Sequence, residues 1–130
     1  MAAIALVQLK YLDRDNAYRR QLATWYEQNL SEVAGMSIVP TAPGCESSRH
    51  LFQIRVPKRR DELMLALNAS QIFPGVHYRD NTEYKMYAYA AGSCPESHRA
   101  SQEIMSLPMH LGVTCRDVAQ ICDVIKRCLR

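Results

Sequence analysis

The sequence contains no apolar run close to the roughly 18 residues that a membrane span needs. It also contains no phosphate-binding loop, nucleophile elbow or metal-binding helix motif. Its 130 residues include 22% charged side chains and carry a net charge of +3. So mild a positive charge favours neither a nucleic acid nor a membrane as a partner. The composition is that of one ordinary soluble domain with enough residues to bury a core.

Paired cysteines are also missing. The five cysteines are odd in number and form no C-x-x-C pair, since they stand at Cys45, Cys94, Cys115, Cys122 and Cys128. This spacing indicates neither a disulfide framework nor a zinc site. Such cysteines behave as small apolar residues in a reducing compartment. We therefore expect a cytoplasmic protein without a metal site.

A long helical pattern opens the chain. Apolar side chains recur at three- and four-residue intervals, at Tyr18, Leu22, Trp25 or Tyr26, and Leu30. Gly35 offers a stop, so the pattern predicts one helix over residues 1–34. A helix of roughly 30 residues measures about 45 Å, which exceeds the width of a domain of this length. No capping residue precedes it, and we therefore expect the chain to be the C-terminal part of a larger protein.

Shorter elements follow between residues 50 and 130. Apolar and polar residues alternate from His50 to Val56, which predicts a strand that Pro57 ends. The next patterns indicate a helix over 60–69, an extended segment at 76–78, a long ordered loop over 79–96, a helical turn at 97–102 and a strand over 104–107. Thr114, with Asp117 three residues later, resembles a capping box and predicts the start of a last helix.

This order of elements predicts an α+β fold in a single domain, residues 1–130. The long helix would occupy residues 1–34 and the α+β core residues 50–130. Helices and strands of this kind pack as two layers, with helices on one face of a small, mostly antiparallel sheet.

The densest group of polar residues follows the predicted extended segment, at residues 77–84. His77, Tyr78 and Arg79 could bind a hydroxylated, anionic small molecule such as a sugar phosphate, because polar loops at strand ends are frequent ligand sites. The alternative is a hydrogen-bonded loop that ties two layers together, with His77 bonded internally. His110 is a second candidate with the same alternative.

A basic cluster at Lys58, Arg59 and Arg60 could contact phosphates. Asp61 and Glu62 follow directly at the start of a predicted helix, so these charges are more typical of a solvated face. We therefore expect no nucleic-acid partner and no membrane partner.

Six segments carry a family resemblance across nearly the whole chain. In order, they are AAIALVQLKYLD (2–13), HLFQIRV (50–56), RDEL (60–63), GVHY (75–78), IMSLPMH (104–110) and TCRDV (114–118). In order and spacing they resemble the C-terminal small domain of the DegT/DnrJ/EryC1/StrS sugar aminotransferases, which depend on pyridoxal phosphate. The resemblance implies the small domain of a fold-type-I enzyme.

The resemblance also implies which functional groups to expect. In that family the Schiff-base lysine, the acid beside the pyridine nitrogen and the phosphate-binding residues lie upstream of the matching part. A cofactor enzyme needs these groups, so we expect no catalytic residue here and no pyridoxal phosphate bound by this chain alone. By resemblance, His77, Tyr78 and Arg79 are substrate-binding residues for a nucleotide-sugar. Thr82, which stands where many members have a further histidine, is the fourth substrate-binding residue that the resemblance implies.

Four functions remain open at this point. The chain could be a freestanding small domain without transaminase activity, or one half of a split aminotransferase whose large domain is a separate chain. It could instead be an interaction module that forms a homo-oligomer through the apolar first helix. A nucleotide-sugar-binding module that uses residues 77–82 is the fourth possibility.

Overall fold

The structure is a computed structural model that describes residues 2–130. In chain order, its helices are α1 (Ala2–Leu9), α2 (Leu12–Leu30), α3 (Arg60–Ala69), α4 (Pro95–Glu103) and α5 (Cys115–Leu129). Its strands are β1 (Ser37–Ile38), β2 (Phe52–Arg55) and β3 (Ile104–Leu107), which form an antiparallel sheet in the order β1-β2-β3. Two 3-10 segments, Asn81–Glu83 and Lys85–Ala90, lie between α3 and α4.

The two faces of the sheet differ because side chains alternate along each strand. Phe52 and Ile54 of β2 point into the core beside Met105 and Leu107 of β3. The helices α2, α3 and α5 cover this face with their own apolar stripes, and α5 packs against both α2 and α3. The predicted α+β fold, with helices on one face of an antiparallel sheet, is confirmed.

Two tyrosine hydroxyls of α2 bind the segment that joins β3 to α5. Tyr18 donates a hydrogen bond to the carbonyl oxygen of Val113 at 2.7 Å, and Tyr26 donates one to that of Pro108 at 2.9 Å. The Tyr26 ring is fully buried and stacks on Phe52, and burial raises the pKa of its hydroxyl above the ordinary value. Cys122 is buried nearby, and burial raises the pKa of its thiol to about 12. It therefore packs as a neutral, apolar residue.

The prediction of one unbroken helix over residues 1–34 is wrong in two places. At Lys10 and Tyr11 the backbone N–H groups bond to carbonyl oxygens three residues back, those of Val7 and Gln8, and a turn separates α1 from α2. The second helix ends at Leu30 instead of Ala34. Residues 2–14 are exposed, so no packing against the domain holds this part of the chain in a straight helix.

Helix α1 is apolar on every side and yet none of its residues is buried. Gln8 is the single polar side chain in its sequence AAIALVQL. Ile4, Leu6 and Leu9 are 63%, 65% and 61% exposed. Among the helices of residues 2–130 we find none whose length and apolar content would let it cross a bilayer.

The segments between the regular elements were the least predictable. The two-residue strand β1 pairs with β2 through Ser37 and Ile38 and was not predicted, because two residues are too few to show an alternating pattern. The ordered loop predicted over 79–96 contains the two 3-10 segments, and the helical turn predicted at 97–102 is part of α4.

The predicted capping box of α5 is present. The Thr114 hydroxyl accepts a hydrogen bond from the Asp117 backbone N–H, and the Asp117 carboxylate accepts bonds from the Thr114 backbone N–H at 2.8 Å and from its hydroxyl at 2.7 Å. These bonds hold the pKa of Asp117 below its ordinary value, with the backbone bond from Thr114 as the largest cause. They also satisfy the backbone N–H group of Asp117, which has no partner within the first turn of the helix.

We expect Thr114→Ala to lower the free energy of unfolding by about 1 kcal/mol at neutral pH. A carboxyl whose pKa is lowered by folding stabilises the protein above its ordinary pKa, and this contribution disappears as the pH falls through the folded-state pKa. Urea unfolding should therefore give a smaller difference between the two proteins in acid than at neutral pH. Thr24→Ala is the control, because its exposed hydroxyl bonds only within α2, to the Arg20 carbonyl oxygen. An equal loss for Thr114→Ala at both pH values would contradict the role of Asp117.

Candidate functional site

A bridge between two distant segments positions His77 on the outer face of the sheet. The backbone of Gly75 pairs with that of Ser106 in β3, with N–H···O distances of 3.0 Å and 2.7 Å. On its other side, Ser106 is opposite Gln53 of β2. Directly opposed residues of an antiparallel pair share a face, so Gln53 and Ser106 both point away from the core.

His77 is held by these three residues, its ring by Ser106 and Gly75 and its backbone by Gln53. Its Nδ1 atom lies 3.0 Å from Ser106 Oγ, and the Gln53 side-chain amide donates a hydrogen bond to the His77 carbonyl oxygen at 2.5 Å. The ring rests directly on Gly75, where an added Cβ would lie 2.6 Å from His77 Cε1. Position 75 therefore has to be glycine for the imidazole to occupy this place.

An open pocket of about 230 Å³ lies beside this imidazole. Its lining consists of His50, Leu51, Phe73, Pro74, Gly75, His77, Ser106, Leu107, Pro108 and Met109. Complete small-molecule sites usually measure about 300–1,000 Å³, so this pocket could hold only part of a substrate. His50, His77 and Ser106 are the lining residues with polar side chains. A pocket of this size and lining could bind one end of a hydroxylated molecule, and the rest of that molecule would have to lie outside the pocket.

The structure brings together two of the four predicted site residues. The Tyr78 ring is 72% exposed and meets the His77 ring edge-on, with 5.1 Å between the ring centroids. Arg79 and Thr82 lie in the adjoining turn and bond within it. Arg79 Nε donates to the Glu83 carboxylate at 2.5 Å, and the Thr82 backbone N–H donates to Asp80 Oδ1 at 3.0 Å. The assignment of all four as substrate-binding residues stays a prediction.

Asp80 is the buried centre of this adjoining turn. Its side chain is 2% exposed, and the bond from the Thr82 backbone holds its pKa below the ordinary value. His98 of α4 places Nδ1 at 3.6 Å from Asp80 Oδ2 and at 3.2 Å from Glu83 Oε1. The cluster links the loop to α4. Within the described part of the chain, no set of three His, Cys, Asp or Glu side chains has the arrangement of a metal site.

The other candidates from the sequence lie outside the pocket beside His77. His110 is exposed, and its Nδ1 accepts a hydrogen bond from the Gly112 backbone N–H at 3.2 Å within a turn. In the basic cluster, Arg59 pairs with Glu62 and Arg60 with Asp61. The exposed pair of Arg59 and Glu62 fits the solvated face that was predicted for the start of α3. The Arg60 side chain does not fit it, because it is only 14% exposed and donates from Nη1 to the Ser101 carbonyl oxygen at 3.4 Å.

Sequence reasoning missed Gly75, Gln53 and Ser106 as parts of the site. Alternation along the two strands could have indicated that Gln53 and Ser106 share the outer face, because each stands between inward-facing apolar residues. The pairing of Gly75 with Ser106 has no local signal, since the two residues are far apart in the sequence.

Comparisons with known proteins identify the family. The model of the DegT/DnrJ/EryC1/StrS aminotransferase family matches residues 1–126. The erythromycin biosynthesis sensory transduction protein EryC1 of Saccharopolyspora erythraea is 32% identical over 112 residues, which are 83% of this chain and 30% of that protein.

Solved structures agree with this match. The aminotransferase TlmJ of Streptoalloteichus hindustanus has a TM-score of 0.91 and 28% identity over 98% of this chain. DesV of S. venezuelae, solved in complex with a ketimine intermediate, has a TM-score of 0.90 and 28% identity over 97%. The chain spans 35% of each of these two structures. It has the fold of the small domain of a fold-type-I aminotransferase, and it belongs to the DegT/DnrJ/EryC1/StrS aminotransferase family.

Proposed function

We propose that this chain is the small domain of a pyridoxal-phosphate-dependent nucleotide-sugar aminotransferase and that it acts only together with a large domain. The observation that carries the proposal is the extent of the match, which covers nearly all of this chain but about a third of its solved relatives. The large domain would be carried on the same polypeptide or on a second one.

The residues of this chain do not fit pyridoxal phosphate. The cofactor needs a lysine in shielded surroundings and a cradle of donors for its phosphate. Lys10, Lys58 and Lys85 are exposed, and Lys126 lines an open groove with Glu32 and Arg130. None of the four lysines forms an ion pair within residues 2–130. A large domain would have to supply the whole cofactor site, and the small domain would contribute to substrate binding.

The pocket beside His77 supports such a contribution. It is too small and too open to enclose a nucleotide-sugar, but it could hold one polar end of it. The exposed Tyr78 ring extends the surface next to His77. Domain closure would bring this surface against the rest of the site and exclude water from it.

Helix α1 supports the need for a large domain. A helix on the surface of a monomer has one apolar stripe, whereas a helix that is apolar on all sides is normally enclosed. A second copy of this chain, related by a two-fold axis, would cover one side of α1. A large domain of twice the size of this chain could surround it. We therefore propose that α1 contacts a large domain. The alternative is that α1 contacts a second copy of this chain in a homo-oligomer.

Pyridoxal phosphate added to the purified chain should give no stable internal-aldimine absorbance. Borohydride reduction followed by peptide mass spectrometry should find no single labelled lysine above the level found in the urea-unfolded chain. The unfolded chain is the control, because its four lysines react without any site. A stable absorbance band that borohydride fixes on one lysine of the folded chain would contradict the proposal.

A further inference from the structure

The buried hydroxyl of Ser106 has a restricted choice of hydrogen-bond partners. The residue is 3% exposed, and its Oγ lies 3.0 Å from His77 Nδ1. Within residues 2–130, His77 Nδ1 is the partner that the structure gives this hydroxyl. A serine hydroxyl carries one proton to donate and two lone pairs to accept with. The direction of the bond to His77 therefore decides whether that proton is satisfied.

Donation by serine is the favourable direction. If His77 Nδ1 carried a proton and donated it to Ser106 Oγ, the hydroxyl proton of Ser106 would be left buried without an acceptor. An unsatisfied buried donor costs free energy. When the hydroxyl donates to Nδ1 instead, its proton has an acceptor, and only the lone pairs of Ser106 Oγ are left without a partner. In that arrangement the proton of the neutral imidazole has to be on Nε2.

We infer that Ser106 is a positioning residue that fixes neutral His77 with its proton on Nε2. Gly75 makes this possible, because any side chain at that position would displace the ring from Ser106. Nε2 has no hydrogen-bond partner in the described part of the chain, and His77 lines the open pocket. The ring therefore presents a hydrogen-bond donor there, matched to a ligand oxygen that accepts.

The use of this donor on a substrate rests on the proposed function, but the proton position does not. A ligand oxygen such as that of a sugar hydroxyl, a carbonyl or a phosphate can accept from Nε2–H, whereas an N–H group of a ligand cannot. The proton position itself can be measured on the chain without any ligand. Failure of the two ideas is therefore distinguishable.

Nitrogen-15 NMR of the imidazole rings tests the inference at a pH where His77 is neutral. The wild-type spectrum should place the His77 proton almost entirely on Nε2, with the Nδ1 resonance shifted as for a nitrogen that accepts a hydrogen bond. In Ser106→Ala, the Nδ1 resonance should move to the position found for His77 in the urea-unfolded chain. The ratio of Nε2-protonated to Nδ1-protonated His77 should likewise move to the value found in the urea-unfolded chain. Ser106→Thr, which keeps the hydroxyl, should restore the wild-type pattern.

Two further variants separate positioning from a general effect on the fold. Ser101→Ala is the matched control, because Ser101 is also a buried serine and its hydroxyl donates to the His98 carbonyl oxygen at 2.8 Å. It should leave the His77 resonances unchanged. Gly75→Ala keeps Ser106 but displaces the ring, and it should reproduce the effect of Ser106→Ala; it carries the test if Ser106→Ala does not fold.

A wild-type proton on Nδ1 would overturn the inference, and so would His77 resonances that neither Ser106→Ala nor Gly75→Ala changes. If the proton is on Nε2 as expected but calorimetry finds no binding of nucleotide-sugars to the chain joined with a large domain, the proposed function fails and the inference about Ser106 stands.

Discussion

Leu6→Asp is expected to weaken the binding of this chain to a large domain of its family by at least about 100-fold. Leu6 is 65% exposed in α1 and lies in a helix that is apolar on all sides. If a large domain encloses this helix, the new carboxylate would be buried without a partner, which is among the most costly substitutions in a protein interface.

Calorimetric titration of the chain with the large domain of the Streptoalloteichus hindustanus relative, prepared as a separate polypeptide, measures this binding. Leu65→Asp is the matched control. Leu65 is also an exposed leucine in a helix, at 70% exposure, but it belongs to α3 instead of α1. Its replacement should leave the affinity within about threefold of wild type, because surface substitutions change free energies little.

Two results would contradict the assignment of α1. Equal affinities of the wild type and Leu6→Asp for the large domain would show that α1 is not enclosed by it. A wild-type chain that sediments as a dimer, is split by Leu6→Asp and does not bind the large domain would instead favour the homo-oligomer through the first helix.

Leu63→Ala should lower the free energy of unfolding by about 2–5 kcal/mol. Leu63 is fully buried in α3, in the core that α3 shares with α5. Its truncation removes apolar contacts and leaves a cavity. Domains of this size are stable by about 5–15 kcal/mol, so the loss is a large part of the total. The midpoint of urea unfolding should fall accordingly, with an unchanged slope.

Leu65→Ala in the same helix is the control for this prediction. It makes the same chemical change two residues away, at an exposed position. The free energy of unfolding should change by less than about 0.5 kcal/mol, because the side chain is exposed. Alanine also has the higher helix propensity, which offsets part of any loss. Comparable losses for both variants would mean that α3 does not bury the face that the structure assigns to the core.

The elements with strong local signals could be predicted from the sequence. Helix α3 and strand β3 have the predicted bounds, and β3 ends directly before Pro108 as expected. The capping box at Thr114 gave the start of α5, because a cap is a local hydrogen-bond pattern that residue types largely determine. The turn at Lys10 and Tyr11 had no comparable signal, since no glycine or proline stands anywhere in residues 2–34.

The candidate site was less predictable than the fold. His77 and Tyr78 were predicted as site residues because they stand in a polar segment and in a segment that resembles a family motif. Their environment was not found, because it depends on the pairing of Gly75 with Ser106 and of Ser106 with Gln53. Such long-range pairings are decided by how the whole chain packs. Arg79 differs, because its ion-pair partner Glu83 is only four residues away in the sequence and the pair forms within the loop itself.

The two tyrosine hydroxyls of α2 have a mechanical consequence. Tyr18 and Tyr26 tie this helix to the backbone on either side of the His110 turn, and that backbone continues directly from β3. A rotation of α2 would have to break these two bonds or carry the backbone that follows β3 with it. A partner that holds the N-terminal helices would therefore contact a helix that is hydrogen-bonded to the backbone next to the pocket, without touching the pocket itself.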